Sequence, residues 1–256
     1  MLRYLCKKVK SNNDMNLEEV LNFRRSVRNF SQDNLPESEK VKHCLELATL
    51  APNSSNMQLW EFYHITDPKV LHQLSEACLS QSAATTAPQM VVFVTRQDLH
   101  RKRAKQVIEL TRNNILQNSP VEKQQKRIKI QKLYYERVMP FLYSRFLGVL
   151  GVFRKLLTIA ISLFRPMTTF VSESDVRVVA HKSCAIAAQT FMIAMAAEGY
   201  DTCPLEGFDG RRVKKILRLP YGAEVNMIIP CGIRNGNKGI WGDRVRLPFE
   251  DVYKHI

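Results

Sequence analysis

The sequence predicts one domain that mixes helices with a few short strands and carries an extra helical segment in its middle. Three observations carry this. Short runs at 61–65, 90–94 and 225–231 have the length of strands, and the second is fully apolar. Several longer stretches repeat apolar residues at three- and four-residue spacing behind good capping residues. No internal repeat and no flexible linker divides the 256 residues. The chain reads as a basic leader over 1–14 and a single domain over 15–256, with a helical insertion over about 96–171.

Composition narrows the partners. The hydrophobic share of 45% is ordinary for a chain that buries a core, but the net charge of +14 is not. Such a balance implies anionic partners: phosphates, acidic lipid or nucleic acid. Six scattered cysteines without a Cys-x-x-Cys read as reduced thiols, and six histidines without close pairing predict no metal site. The start of the chain is basic but lacks a sustained apolar core and a small-residue cleavage site, so no signal peptide is expected and the placement is cytoplasmic.

In chain order, Asn16 or Asp14 caps a helix with Leu17, Val20, Leu21 and Phe23 on one face. It leads into Phe23-Arg24-Arg25-Ser26-Val27-Arg28-Asn29-Phe30. If the helix continued, Arg24 and Arg28 would share a face. Three guanidinium groups suit a phosphate, although a solvated charged face has the same composition. After a turn, Pro36 opens a second helix that buries Val41, Cys44, Leu45, Ala48 and Thr49. Residues 50–60 are aperiodic and polar. They form either a plain connection or a loop whose Ser54, Ser55, Asn56 and Gln58 hydrogen-bond a ligand. Asp67-Pro68 starts a helix through Leu71, Leu74 and Cys78, and the fully apolar strand at 90–94 is expected to be central.

Residues 96–131 read as charged, solvated helix with breaks at Asn113-Asn114 and Asn118-Ser119-Pro120. Over 139–170, Arg145, Gly148, Gly151, Lys155, Thr158, Ser162 and Arg165 form one narrow polar stripe on an otherwise apolar helix. Arg154 and Lys155 at a bilayer centre would cost roughly 5–7 kcal/mol, which argues against a single span. The segment is expected either to be covered by protein, as a lid or interface helix, or to lie in an anionic membrane surface with its basic stripe outward.

Ser172-Glu173-Ser174-Asp175 caps a long alanine-rich helix that ends at Gly199 and belongs at the core of the domain or of a dimer. His181 and Met192 on it read as packing residues. In the following Thr202-Cys203-Pro204-Leu205-Glu206-Gly207-Phe208-Asp209, Pro204 and Gly207 would let backbone approach a flat ligand, or simply make a strand-to-helix turn. A short basic helix, the strand at 225–231 and Gly239-Ile240-Trp241-Gly242-Asp243-Arg244-Val245-Arg246-Leu247-Pro248 complete the chain.

Four of these stretches, in this order, resemble the FMN-dependent nitroreductase family. They are the Arg-x-Ser-x-Arg/Lys-x-Phe opening at 24–30, the Ala/Ser-Pro-Ser-Ser-x-Asn-x-Gln-Pro-Trp loop at 51–60, the Pro-Ile/Leu-Glu-Gly-Phe element at 204–208, and the Lys/Arg-x-Arg-x-Pro element at 244–248. The chain departs from the pattern at Asn53, usually Ser, at Leu59, usually Pro, and at Ala83, near which some relatives carry a lysine.

The resemblance implies an α+β fold, with a mixed sheet sandwiched by helices, and an intertwined homodimer with two flavin sites at its interface. It implies FMN as cofactor and NADH or NADPH as reductant. A small-molecule acceptor, nitroaromatic, quinone or similar, would be reduced by a ping-pong mechanism. Arg24, Arg25, Ser26, Arg28, Arg244 and Arg246 would supply phosphate, ribityl and ring contacts. The loop with Pro52, Asn53, Ser54 and Asn56 would reach the flavin held mainly by the other subunit, and Gln81 would meet its pyrimidine edge. Glu206 and Gly207 would present backbone N–H groups to the ring, with Pro204 and Leu205 leading the chain to it and no catalytic side chain required. The alternatives are other flavin chemistry on the same fold, reductive dehalogenation or flavin breakdown, and a non-enzymatic basic protein of membrane surfaces or nucleic acid. The nucleic-acid version expects aromatics interleaved with basic residues, and only Phe23 and Phe30 flank the cluster.

Overall fold

The computed structural model describes residues 15–256. The leader, and with it Asp14 as an alternative cap, lies outside the described residues. Helix α1 (Leu17–Phe23) starts at Asn16 with a reciprocal capping box, in which Asn16 Oδ1 accepts from the Glu19 N–H at 3.0 Å and Glu19 Oε2 accepts from the Asn16 N–H at 2.7 Å. Then follow α2 (Ser38–Ala48), β1 (Trp60–Ile65), α3 (Pro68–Ala77), α4 (Ser82–Thr86) and β2 (Gln89–Thr95). The middle of the chain is helical: α5 (His100–Asn118), α6 (Val121–Leu133), a π-helical turn (Tyr134–Val138), α7 (Met139–Tyr143) and α8 (Val149–Ser162). The long α9 (Glu173–Ala197), β3 (Asp201–Thr202), α10 (Gly210–Ile216), β4 (Glu224–Gly232) and α11 (Phe249–Val252) complete it.

The class is α+β, as expected. The sheet order is β1-β2-β4-β3 and its three ladders are antiparallel; the parallel component among the described residues is a single bridge between Ser26 and Thr202. All seven residues of β2 are buried, as its unbroken apolar run predicts for an inner strand. Alternation assigns its side chains to two cores. Met90, Val92 and Val94 pack with Ile228 of β4 and Leu74 and Ala77 of α3. Val91 and Phe93 pack with Ile229 of β4, Val41 and Cys44 of α2, and Cys184, Ala187 and Phe191 of α9. Helices therefore cover both faces of the sheet. A third core joins Met57 and Leu59 to the inserted helices through Ala104, Val107, Tyr135, Met139 and Tyr143.

Helix α9 has the length and apolarity to cross a bilayer, yet it lies across the sheet with Phe191 and Met195 fully buried. Its cap is again reciprocal, between Ser172 and Asp175.

Several local expectations are corrected. The arginine segment does not continue α1: Arg24 is extended, with φ −61° and ψ 114°. Pro36 precedes α2 instead of opening it, and Thr49 is exposed. Asn113-Asn114 does not break α5, whereas Asn118-Ser119-Pro120 does end it. Residues 139–170 are not one helix. They bend at Ser144–Gly148, where Gly148 takes a φ of +82°, and α8 ends at Ser162. The expected polar stripe is split: Gly151 and Thr158 are buried, together with Arg154, while Lys155 and Arg165 are exposed.

Candidate flavin site

Two segments from opposite ends of the chain form one cleft of about 510 Å³, lined by Arg24, Arg25, Ser26 and Arg28 on one side and residues 239–241 and 243–246 on the other. The first wall depends on how α1 ends. Arg244 Nη2 donates to the carbonyls of Leu21 (3.0 Å), Asn22 (3.2 Å) and Arg24 (2.7 Å), satisfying acceptors that a helix terminus leaves open. Arg234 places its guanidinium 4.3 Å from the Phe23 ring centre and donates to the Phe23 carbonyl at 3.2 Å. Buried Asp201 holds Arg234 through the Arg234 N–H (2.8 Å) and Nε (3.0 Å).

Beyond this clamp the chain is extended. The Val27 N–H donates to the Thr202 carbonyl at 3.2 Å and the Arg28 N–H to the Gly239 carbonyl at 3.0 Å. Successive side chains of an extended chain alternate, so Arg24, Ser26 and Arg28 share one side while Val27 is buried on the other. The second wall comes so close at Gly239 that a Cβ there would meet the Asn29 nitrogen at 2.5 Å.

Asp243 is the one acid among the lining residues, against five arginines. Burial holds the Arg24 guanidinium below its ordinary pKa, and the nearby charges of Arg244, Arg246 and Arg25 lower it further. An anion seated among these groups would relieve that repulsion and take charge-assisted hydrogen bonds from the guanidinium forks. The residues present therefore fit a phosphate, the terminal group of FMN.

The other residues expected at the site fall into two further groups. The bridge between Ser26 and Thr202 ties the first wall to the 202–207 element. Gln81 Nε2 donates to the Gly207 carbonyl at 2.8 Å and the Cys78 carbonyl at 3.1 Å, so Gln81 braces the turn in which Glu206 and Gly207 are exposed. Glu206 borders a smaller cleft with Arg177, His181, Lys182 and Asn226. In the loop, Asn53 Oδ1 accepts from the Gln58 N–H at 2.9 Å and the Ser54 N–H donates to Ser183 Oγ at 3.2 Å. Ser55, Asn56 and Gln58 have left-handed φ values of 54°, 50° and 48°. One chain thus gathers Arg24, Arg25, Ser26, Arg28, Arg244 and Arg246 in one cleft. Pro52, Asn53, Ser54, Asn56, Gln81, Pro204, Leu205, Glu206 and Gly207 do not line it.

Sequence reasoning missed Asp201 and Arg234, and also Tyr134 and Tyr135, whose hydroxyls both reach Ser55. The adjacent tyrosines in an otherwise charged stretch were the available signal. Glu224, also missed, accepts from His181 (3.1 Å), Arg145 (2.9 Å) and Arg177. The His181 hydrogen bond, with help from the two arginines and against the effect of burial, holds its carboxyl well below the usual range. The described cysteines are free and buried, and burial pushes Cys78 up to about 11 and Cys44 and Cys184 up to about 12, so they are inert thiols. Among the described residues no His, Cys, Asp and Glu cluster could hold a metal.

The sequence profile of the Nitroreductase family matches residues 21–233. The chain belongs to the nitroreductase family. This nitroreductase-family protein is 26% identical to protein DrgA of Synechocystis over 220 residues, which cover 86% of the chain and 85% of DrgA. Its fold is shared by a nitroreductase family protein from Streptococcus pneumoniae, at a TM-score of 0.65, 20% identity, and coverage of 94% of this chain and 100% of that one. It is shared also by an NADPH:FMN oxidoreductase from Vibrio harveyi solved with NAD+, at a TM-score of 0.61, 16% identity, and coverage of 94% and 77% respectively.

Proposed function

We propose that this nitroreductase-family enzyme binds FMN noncovalently and catalyses NAD(P)H-dependent reduction of nitroaromatic, quinone or similar small acceptors. The five-arginine cleft with its single carboxylate carries the reading. Arg24, Arg25, Arg28 and Arg246 would hold the phosphate, Ser26 the ribityl chain, and Arg244 would fix the wall from which they project. Bound there, FMN would supply the two-electron redox chemistry that links NADH or NADPH to the acceptor, in the two half-reactions of a ping-pong mechanism.

The chain's own part is to bind and orient. The exposed backbone of Glu206 and Gly207, braced by Gln81, would face the ring, with Pro204 and Leu205 setting its approach. In this reading residues 15–256 form a single flavin domain, with 96–171 as its helical insertion.

The working unit of this proposal is a homodimer. Trp241, Val245, Leu247, Phe249 and Val252 of the C-terminal arm are exposed, between 65% and 86%, as expected of a segment that a partner covers. The loop with Pro52, Asn53, Ser54 and Asn56, which lies outside its own chain's cleft, would serve the partner's flavin. The enzyme is placed in the cytoplasm, with a peripheral contact to an anionic membrane through residues 139–170. The decisive experiment is purification followed by titration with FMN: a yellow dimer that takes up FMN and turns over NADH or NADPH supports the reading, and a colourless protein that takes up no FMN overturns it.

A further inference from the structure

Helix α8 is inside out for a helix that meets water. The residues it buries are Gly151, Arg154 and Thr158. The residues it exposes include Val149, Val152, Phe153 and Leu156, at 56–64%. At about 100° per residue, these and Ile159 lie on the side opposite Arg154, in one arc without a charge. Leu163 and Phe164 extend the arc at 77% and 91% exposed, and Leu147 precedes it at 91%.

This orientation is built in. Arg154 is 2% exposed; its Nε donates to the Val171 carbonyl at 2.9 Å and its Nη1 to the carbonyls of Phe141 (2.8 Å) and Ser144 (2.9 Å). Gly151 sits where a Cβ would meet the Glu173 nitrogen at 2.6 Å. The polar side is thereby fastened to the protein and the apolar side is held outward, the reverse of what the hydrophobic effect selects against water.

Charge decides what the face meets. Residues 137–172 contain Arg137, Arg145, Arg154, Lys155 and Arg165 and no aspartate or glutamate. Arg154 is buried and Arg145 is paired with Glu224, which leaves Lys155 on α8 and Arg165 just beyond it as the exposed cations beside the apolar arc. A two-fold contact with a second copy would bring these cations to a common seam with no carboxylate on the face to meet them. Fourteen residues span about 21 Å, less than the hydrocarbon thickness, so the helix has the length of one lying along a bilayer.

We infer that α8 is a docking face for the surface of an anionic lipid bilayer. Its apolar arc enters the acyl boundary while Lys155 and Arg165 meet the headgroups. This rests on the peripheral-membrane part of the reading above and names the element and orientation responsible; it does not depend on the flavin.

The test is co-sedimentation of the full-length protein with phosphatidylcholine vesicles and with phosphatidylcholine–phosphatidylserine vesicles, at low and high salt. It is repeated with Leu156→Glu/Leu163→Glu, which alters two exposed side chains, and the fold of that variant is checked by circular dichroism. Pelleting with the anionic vesicles is expected, reduced by salt, and weakened about tenfold or more for each replaced leucine. Pelleting that survives the double substitution overturns α8 as the docking face while leaving membrane binding in place. No pelleting under any condition overturns both. Self-association of the wild type that the double variant loses, without pelleting, would make this face a contact between copies of the chain and overturn the inference.

Discussion

The phenol oxygen of Tyr134 lies 2.7 Å from Ser55 Oγ, and Tyr135 donates to the Ser55 carbonyl at 2.9 Å. Consecutive side chains of a regular α-helix diverge by about 100°, so two that close on one residue mark a departure from it. The departure here is the π-helical turn at Tyr134–Val138, a type of distortion frequent at functional sites. It lets the inserted helices hold Ser55 in its left-handed conformation. Tyr134→Phe/Tyr135→Phe should lose about 0.5–1.5 kcal/mol per hydrogen bond, and hydrogen exchange should rise at the amides of 54–58. Unchanged exchange there would show that the clasp does not hold the loop.

The arginine cleft predicts a charge-dependent affinity. Arg24→Ala/Arg246→Ala should weaken FMN binding by about 1.5–3 kcal/mol per arginine, roughly tenfold or more each. Equilibrium dialysis of free FMN measures this directly, and undiminished affinity would remove both residues from the phosphate contact.

Asp201 is 1% exposed at its side chain and Arg234 is 26% exposed, and Arg234 in turn covers Phe23. Asp201→Asn leaves a largely buried guanidinium without its counter-charge, so it should destabilise the fold by about 3 kcal/mol, the lower end for a broken buried pair. Urea denaturation reads the change. A loss under about 0.5 kcal/mol, the ordinary surface range, would mean that the clamp on α1 has another source.

Glu224 sets an acid limb. Its folded pKa is depressed, by the His181 hydrogen bond first and the Arg145 and Arg177 hydrogen bonds next. The resulting stabilisation is complete above the ordinary unfolded carboxylate value of about 4.3 and is lost as pH falls below it toward the folded value. Urea midpoints recorded from pH 7 down to pH 3 should therefore fall more steeply for the wild type than for Glu224→Gln. Parallel curves would contradict the assignment.

The sequence disclosed individual strands and helices because burial writes itself as periodicity, and the unbroken apolar run at 90–94 reads as an inner strand, whereas the helical cover of the sheet followed from the family resemblance. It disclosed the arginine cluster because charge is visible in composition. It misplaced the shape of that cluster, since whether Arg24 continues α1 is decided by Arg244 and Arg234, more than 200 residues away. It likewise identified the unusual apolarity of 139–170 and left open which side of the helix meets protein. Helical periodicity reports which residues share a side; which side meets protein was settled here by carbonyls of Phe141, Ser144 and Val171, which no pattern in the helix itself encodes.

The cleft has one wall at 24–28 and the other at 239–246. During synthesis the first wall emerges about two hundred residues ahead of the second. The nascent chain can assemble its sheet, but until Arg244 arrives the carbonyls of Leu21, Asn22 and Arg24 lack its guanidinium and the anion site stays open. A chain truncated near residue 238 would keep every strand of the sheet but only one wall of the cleft, with Arg24, Arg25 and Arg28 facing no opposite side. Acquisition of the site thus waits on the synthesis of residues 239–246.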